Sequence, residues 1–152
     1  MKLSVQKDKS LDNDYVDVKY RELTPVINKI LQLCNKSSSV LLCEKDSTTY
    51  RVDVNDVLYI EWVDSKSCIY TKDDVYIMPD SLSRLEEVLN NQNFIRISKM
   101  ALVNIFKIKS VSNRLHYRLT ANMVNGEKVN ISRHYRRALL DAIQGLAEEV
   151  SR

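Results

Sequence analysis

Glycine and proline are nearly missing, with two of each in 152 residues. Phosphate-cradling loops of the GxGxxG or P-loop type need more glycine than Gly126 and Gly145 supply, so neither motif occurs. The same scarcity leaves no flexible linker, and neither repeats nor low-complexity tracts are present. Cysteine is also sparse. Cys34, Cys43 and Cys68 are odd in number and show no CxxC spacing, which argues for reduced thiols over a disulfide framework or zinc site. Only two histidines occur, His116 and His134; there is no HExxH, and no serine sits in a GxSxG elbow. The acid pairs Asp73-Asp74 and Glu86-Glu87 read as solvated faces. No catalytic residue, metal or cofactor is therefore expected, and the protein reads as a non-enzyme. No apolar run approaches the roughly 18 residues of a membrane span. The polar start MKLSVQKDKSLDND lacks the apolar segment of a signal peptide, so a cytoplasmic location is expected.

Acidic residues are the most unevenly missing. Residues 94–139 hold Arg96, Lys99, Lys107, Lys109, Arg114, Arg118, Lys128, Arg133, Arg136 and Arg137, against Glu127 alone. Ten cations and one acid give +9 there; the whole chain carries +3, so the remainder carries −6. Such asymmetry suggests a polyanion-binding face, with an evenly solvated basic surface as the plain alternative.

What is present reads mainly as strand. Residues 2–7 and 15–21 (YVDVKYR) look like short strands. Thr24 can cap a helix over 24–35 with Pro25 at its first position, and Val26, Ile27, Ile30, Leu31 and Cys34 form its apolar stripe. From Val40 onward VLLCEKD, TTYRVDV, VLYIEWV, CIYT and VYIM follow one another, rich in branched and aromatic residues. Residues 64–67 (DSKS) read as the turn between the third and fourth of these. Pro79-Asp80 opens a short helix with Leu82, Leu85 and Leu89 on one face. Then come FIRISKMALVN (94–104), IFKIKSV, RLHYRLTA and KVNIS. Asn125-Gly126 marks a hairpin, since both residues tolerate positive φ. Ser132 can cap a last helix with Tyr135, Ala138, Leu139, Ala142, Ile143 and Leu146 toward the core. These patterns predict a compact antiparallel β domain with short helices attached.

Three basic positions stand out. In ISRHYRR (131–137), Arg133, Arg136 and Arg137 crowd a helix N-terminus, where the helix dipole disfavours cations by about 0.3–1 kcal/mol each. A phosphate there, held by free N–H groups and arginines, would account for them. Lys99 stands between the alternating FIRIS and the apolar run MALV, at a point where a turn could present it. Lys66, in the DSKS turn, gains weight only if that turn points the same way as Lys99 and Arg133.

The series VLYIE, CIYT, SLSRLEEVL, FIRISKMALVN, IxKI and NGEKVNISRHY, in this order over residues 38–142, resembles the LytTR DNA-binding domain. The resemblance implies an elongated, mainly β fold of three packed antiparallel sheets with short helices, residues 38–152 forming the domain and residues 1–37 a small N-terminal β/α extension. It implies a sequence-specific, double-stranded DNA-binding transcription regulator that reads major grooves with inter-strand loops, as two domains on two repeats. A homodimer on DNA follows. The reading loops fall on Lys66 and Ser67, on Ser98, Lys99 and Met100, and on Arg133; the backbone-contacting positions fall on His134, Arg136 and Arg137. Arg96 suits either a backbone contact or a structural salt bridge. Val103 is expected in the core and Asn104 as a turn former. Where family members carry polar residues, frequently His or Asn, at the reading positions, this chain has Lys66 and Lys99. Residues 1–37 are too few for a receiver domain, which points to the small stand-alone members. In several of those a membrane protein acts as inhibitor, and residues 1–37 could serve that contact, dimerisation, or an open sheet edge.

Two rivals stay open. A protein-interaction module with an acidic partner would show no preference among duplexes. A single-strand binder would need exposed aromatic rows, whereas Tyr59, Trp62 and Tyr70 sit in strand runs that bury them at least in part.

Overall fold

The computed structural model describes residues 17–22, 24–27, 29–30, 39–90, 92–114 and 118–150. Two compact units divide the chain, Met1–Ser37 and Ser38–Arg152. In the first, residues 25–27 and 29–30 are helical, and the Thr24 hydroxyl caps them by accepting from the Ile27 N–H at 3.3 Å. Residues 17–21 are not a strand, correcting that expectation: alternation without a pairing partner does not hold a strand in water. The strand expected at 2–7 and the helix end at 31–35 lie outside the described residues.

The second unit holds ten strands. β1 (Val40–Lys45), β2 (Thr48–Asp53), β3 (Val57–Val63), β4 (Lys66–Thr71), β5 (Val75–Met78), β6 (Phe94–Ser98) and β7 (Ala101–Asn104) form one antiparallel sheet, in the order β2-β1-β5-β4-β3-β7-β6. β8 (Ile108–Arg114), β9 (Arg118–Met123) and β10 (Lys128–Ile131) form a second. Hydrogen bonding thus gives two sheets where three were expected. A single register pair, Glu44↔Ile77, joins the β1–β2 hairpin to β5 and merges two of them.

The central sheet carries a core on each face. On one face, α1 (Leu82–Val88) buries Leu82, Leu85 and the following Leu89 against Ile60, Ile69, Leu102 and the β1–β2 hairpin. Ser81 caps α1, its hydroxyl accepting from the Arg84 N–H at 3.2 Å. On the other face, the small sheet and α2 (Arg136–Val150) bury Leu119, Ala121, Met123, Val129 and Leu139 against Tyr59, Ile97, Ala101 and Val103. Of the last-helix residues expected inward, Leu139 is fully buried and Tyr135 and Ile143 pack in part against the same core, whereas Ala138 is exposed. Asn104 ends β7 as expected, accepting from the Phe106 N–H at 3.1 Å, and it also donates to the Val57 carbonyl at 3.0 Å.

Turn chemistry sets the registers. Asp46-Ser47 and Asp64-Ser65 both take left-handed φ values, 50° and 62° in the first pair and 48° and 62° in the second. Two such residues make the mirror-image turn whose twist suits a two-residue hairpin. The reversal expected over 64–67 is therefore tighter: it is Asp64-Ser65, and Lys66 already pairs with Val63 as the first residue of β4. At the β9–β10 hairpin only Gly126 has positive φ (90°). Asn125 instead accepts from the Glu127 N–H at 3.2 Å, and Gly126 closes a three-residue loop onto the Met123 carbonyl.

Candidate nucleic-acid interface

Strand register brings the three singled-out segments to one end of the central sheet. β3 runs toward the Asp64-Ser65 turn, and Glu61 pairs with Ala101, so the Lys99-Met100 turn between β6 and β7 sits at that same end. In the order β4-β3-β7-β6 the two turns lie two strand spacings apart, about 10 Å. The third segment joins through a bulge. Register steps from Arg96↔Leu102 to Ser98↔Ala101, leaving Ile97 unpaired, and its carbonyl accepts the Ser132 N–H at 2.9 Å. That bond anchors the start of the Arg133–Tyr135 segment beside the β6–β7 turn.

The Lys99-Met100 turn is tightly held. The Ser98 hydroxyl accepts from the Met100 N–H at 3.1 Å, and the Met100 carbonyl accepts from the Trp62 N–H at 2.8 Å. Arg96, only 19% exposed, donates Nε to the Ser98 carbonyl at 3.1 Å and Nη2 to the Lys99 carbonyl at 2.7 Å. Its Nη1 pairs with Glu86 Oε2 of α1 at 2.7 Å. The planar guanidinium fork is thus filled from three sides. Of the two readings open for Arg96, the structure displays the internal ion pair.

The remaining candidates divide by exposure. Lys66, Lys99, Arg133, His134 and Arg137 are exposed, and Arg136 is half-buried. Among the described residues, Lys66, Lys99 and Arg133 form no ion pair. Arg137 Nε lies 3.9 Å from Asp141 on an exposed helix face, where such a pair contributes at most about 1 kcal/mol. Arg136 donates to Asn113 Oδ1 at 3.2 Å, tying the start of α2 to β8. His134 packs edge-on to Tyr135, ring centroids 5.0 Å apart. Ser67 is a correction. It is fully buried, its hydroxyl donating to the Asp80 carbonyl at 2.7 Å, because the short turn places it one residue into β4 with its side chain inward.

A second correction concerns the last helix. Ser132 makes no side-chain cap, and a 3-10 turn, Arg133–Tyr135, precedes α2. Tyr135 N–H donates to the Ser132 carbonyl at 3.0 Å and Arg136 N–H to the Arg133 carbonyl, so those two donors are taken. Arg133 therefore stands ahead of α2 on the 3-10 turn, and only Arg136 and Arg137 occupy its first turn.

Sequence reasoning missed part of what else stands at this end. Asp64 and Ser65 are the actual tip of the β3–β4 hairpin. Val63 and Met100 are exposed there, 42% and 51%. Met100 lies in the segment Ser98-Lys99-Met100 that the resemblance singled out, whereas Val63 read only as the end of a strand run. Tyr59 is buried and Trp62 and Tyr70 are partly buried, as expected of those three, whereas Tyr50 and Phe106 are exposed. Tyr59 and Tyr70 stack at 4.3 Å, and burial pushes the Tyr70 hydroxyl up to about 12. Cys43 is buried, its thiol pushed to about 11 by desolvation, as suits an inert core residue. Among the described residues, no group of His, Cys, Asp and Glu is set to hold a metal ion, and no helix is long and apolar enough to cross a membrane.

Comparison with known proteins agrees on one family. The family model of the LytTr DNA-binding domain matches residues 47–144. A solved LytTr DNA-binding domain of a putative methyl-accepting/DNA response regulator from Bacillus cereus superposes with a TM-score of 0.63 at 28% identity, covering 68% of this chain and 98% of that one. Sensory transduction protein LytR of Staphylococcus haemolyticus is 27% identical over 113 residues, 74% of this chain and 44% of the relative. Sensory transduction protein LytT of Bacillus cereus is 30% identical over 88 residues, 58% of this chain and 36% of the relative. The chain thus spans less than half the length of either of these two relatives.

Proposed function

Because the chain belongs to the LytTR DNA-binding domain family, we propose that it is a sequence-specific, double-stranded DNA-binding transcription regulator, not an enzyme. The observation that carries this reading is the gathering at one end of the central sheet of Lys66 beside the β3–β4 turn, Lys99 on the β6–β7 turn and Arg133 on the 3-10 turn anchored to β6, without ion pairs among the described residues. In this reading the turns enter major grooves. Lys66 and Lys99 meet acceptors such as guanine O6 and N7, and Arg133 reads a guanine edge bidentately. Arg137 and His134 contact phosphates and set the register, with Arg136 beside them. Arg96 and Ser98 act indirectly by fixing the backbone that carries Lys99. The protein works as a pair of domains on two DNA repeats, in the cytoplasm, with a membrane-protein inhibitor engaging residues 1–37 or the domain.

The test is a binding titration against a site selected from a random duplex pool. Arg133→Ala is expected to cost about 1–3 kcal/mol on the selected site and to relax preference at one position. Arg137→Gln should weaken all duplexes about equally and lower the salt slope by about 1. If the pool yields no motif while an acidic protein partner binds, the interaction-module reading replaces this one.

A further inference from the structure

Two apolar side chains at the charged end of the sheet have no role in the function proposed so far. Met100 occupies the second position of the β6–β7 turn and is 51% exposed; Val63 ends β3 and is 42% exposed. Both line one cleft of about 250 Å³, with Ser98, Lys128 and Asn130 among its polar walls. An exposed turn position ordinarily carries Asn, Asp, Gly or Ser. Nor is Met100 free to swing away with a loose loop. Its N–H is bonded to Ser98 Oγ, its carbonyl to the Trp62 N–H, and the carbonyl just before it to Arg96. The structure therefore fixes the backbone that carries this apolar side chain, next to the exposed Lys99 and on a cleft that the exposed Lys128 also lines, at the end of the sheet that faces DNA in the proposed function.

The major groove offers donors, acceptors and a single apolar group, the C5-methyl of thymine. We propose that Met100, with Val63 beside it, reads a thymine methyl, making this protein selective for a T·A pair next to the positions contacted by Lys99 and Lys66. The inference rests on the DNA-reading function proposed above. Methionine suits such a contact, because its unbranched, polarisable side chain adapts to a small apolar surface. Lysine alone, a flexible point charge, discriminates poorly among acceptor-bearing bases. An apolar neighbour supplies discrimination that the cations lack, because a cytosine or guanine at that position leaves the side chain against a polar edge.

The experiment replaces each thymine of the selected site, one at a time, by deoxyuridine, which removes the methyl and nothing else. Affinities of the full chain are measured for the wild type, Met100→Ala and Val63→Thr. At one or two thymines the wild type should lose about fourfold, the worth of one buried methyl-sized group. At those thymines Met100→Ala should bind thymine and uracil sites equally, and Val63→Thr should shrink the difference. Deoxyuridine without effect at every position, or an effect that persists undiminished in Met100→Ala, overturns the methyl contact while leaving DNA reading intact. Failure of the pool to yield any site overturns both.

Discussion

β4 begins at Lys66 and ends at Thr71, and charge is handled differently at its two ends. Beyond Thr71 the chain turns through Lys72, Asp73 and Asp74, and of these Asp74 is bonded to its neighbours. The Lys45 ammonium pairs with the Asp74 carboxylate, and the Tyr76 hydroxyl donates to the same carboxylate at 3.4 Å. Thr71 closes the turn on the Asp74 backbone at 2.9 Å and 3.1 Å. The adjoining cleft mixes Asp53, Asp56 and Asp73 with Arg51, Lys72 and Lys107, so its field largely cancels. At the other end Lys66, Lys99 and Arg133 have no ion pair among the described residues, and the partly buried Arg96 holds backbone. At the far end cations and acids share one cleft and Lys45 is paired with Asp74; at the near end the exposed Lys66, Lys99 and Arg133 have no ion pair among the described residues. The same fold supports both arrangements, and the proposed function assigns DNA reading to the end whose turns carry Lys66, Lys99 and Arg133.

The largest effect should come from removing those cations together. Lys66→Gln, Lys99→Gln and Arg133→Gln combined are expected to reduce binding of the selected site to that of random duplex, a loss on the order of 10³ or more. Arg51→Gln with Lys72→Gln at the far end should leave both affinity and salt slope nearly unchanged. Equal losses from the two sets, measured side by side over a salt series, would erase the distinction between the ends.

Arg96 sharpens the comparison from inside. Arg96→Ala removes three bonds at once, freeing the Ser98 and Lys99 carbonyls and the half-exposed Glu86. About a tenfold loss in site affinity is expected, since each rotamer-rich element that must be ordered on binding costs about 0.5–1.5 kcal/mol. Arg96→Lys should not restore it, because one ammonium cannot span a carboxylate and two carbonyls as the guanidinium fork does. Full rescue by lysine in the same titration would reduce Arg96 to a simple charge.

Much of this arrangement was legible in the residues. Leu82, Leu85 and Leu89 announced the face of α1, and the strand runs announced the sheet. The concentration of cations in 94–139 includes Lys99 and Arg133 of the proposed reading end, but also Lys107, which lines the far cleft. What was not legible depends on turn geometry and on partners distant in the chain. Asp-Ser is a weaker hairpin signal than Asn-Gly, yet Asp64-Ser65 forms the tight turn and thereby buries Ser67. Asn-Gly, the stronger signal, uses only Gly126 in the left-handed region. The ion pair of Arg96 lies with Glu86, ten residues away on α1, and the bulge at Ile97 that anchors Ser132 leaves no mark in the alternation of FIRIS.

At the far end, changes should move stability and not DNA binding. Gly126 sits at φ 90° in the β9–β10 loop, whose Val124 and Asn125 line the far cleft. A Cβ there meets nothing within 4 Å, so Gly126→Ala adds backbone strain without a clash. The expected cost is about 1–2 kcal/mol, read from the denaturant midpoint, with operator affinity unchanged. A matching drop in affinity of the folded protein would tie this loop to the reading end.

The smallest effect expected is that of Asp74→Asn. The pair with Lys45 is about a third or more exposed on both sides, so solvent screens it and its small contribution falls with salt. Removing the carboxylate also releases one cation at the far end. If unpaired charge alone defined a binding end, Asp74→Asn would create a second one and raise affinity for random duplex. The expected result is no such gain, because the Lys45 side chain stands at a hairpin that no backbone clamp like Arg96 aims at a groove. An increase in random-duplex affinity above about twofold would show that local charge outweighs the positioning of the turns.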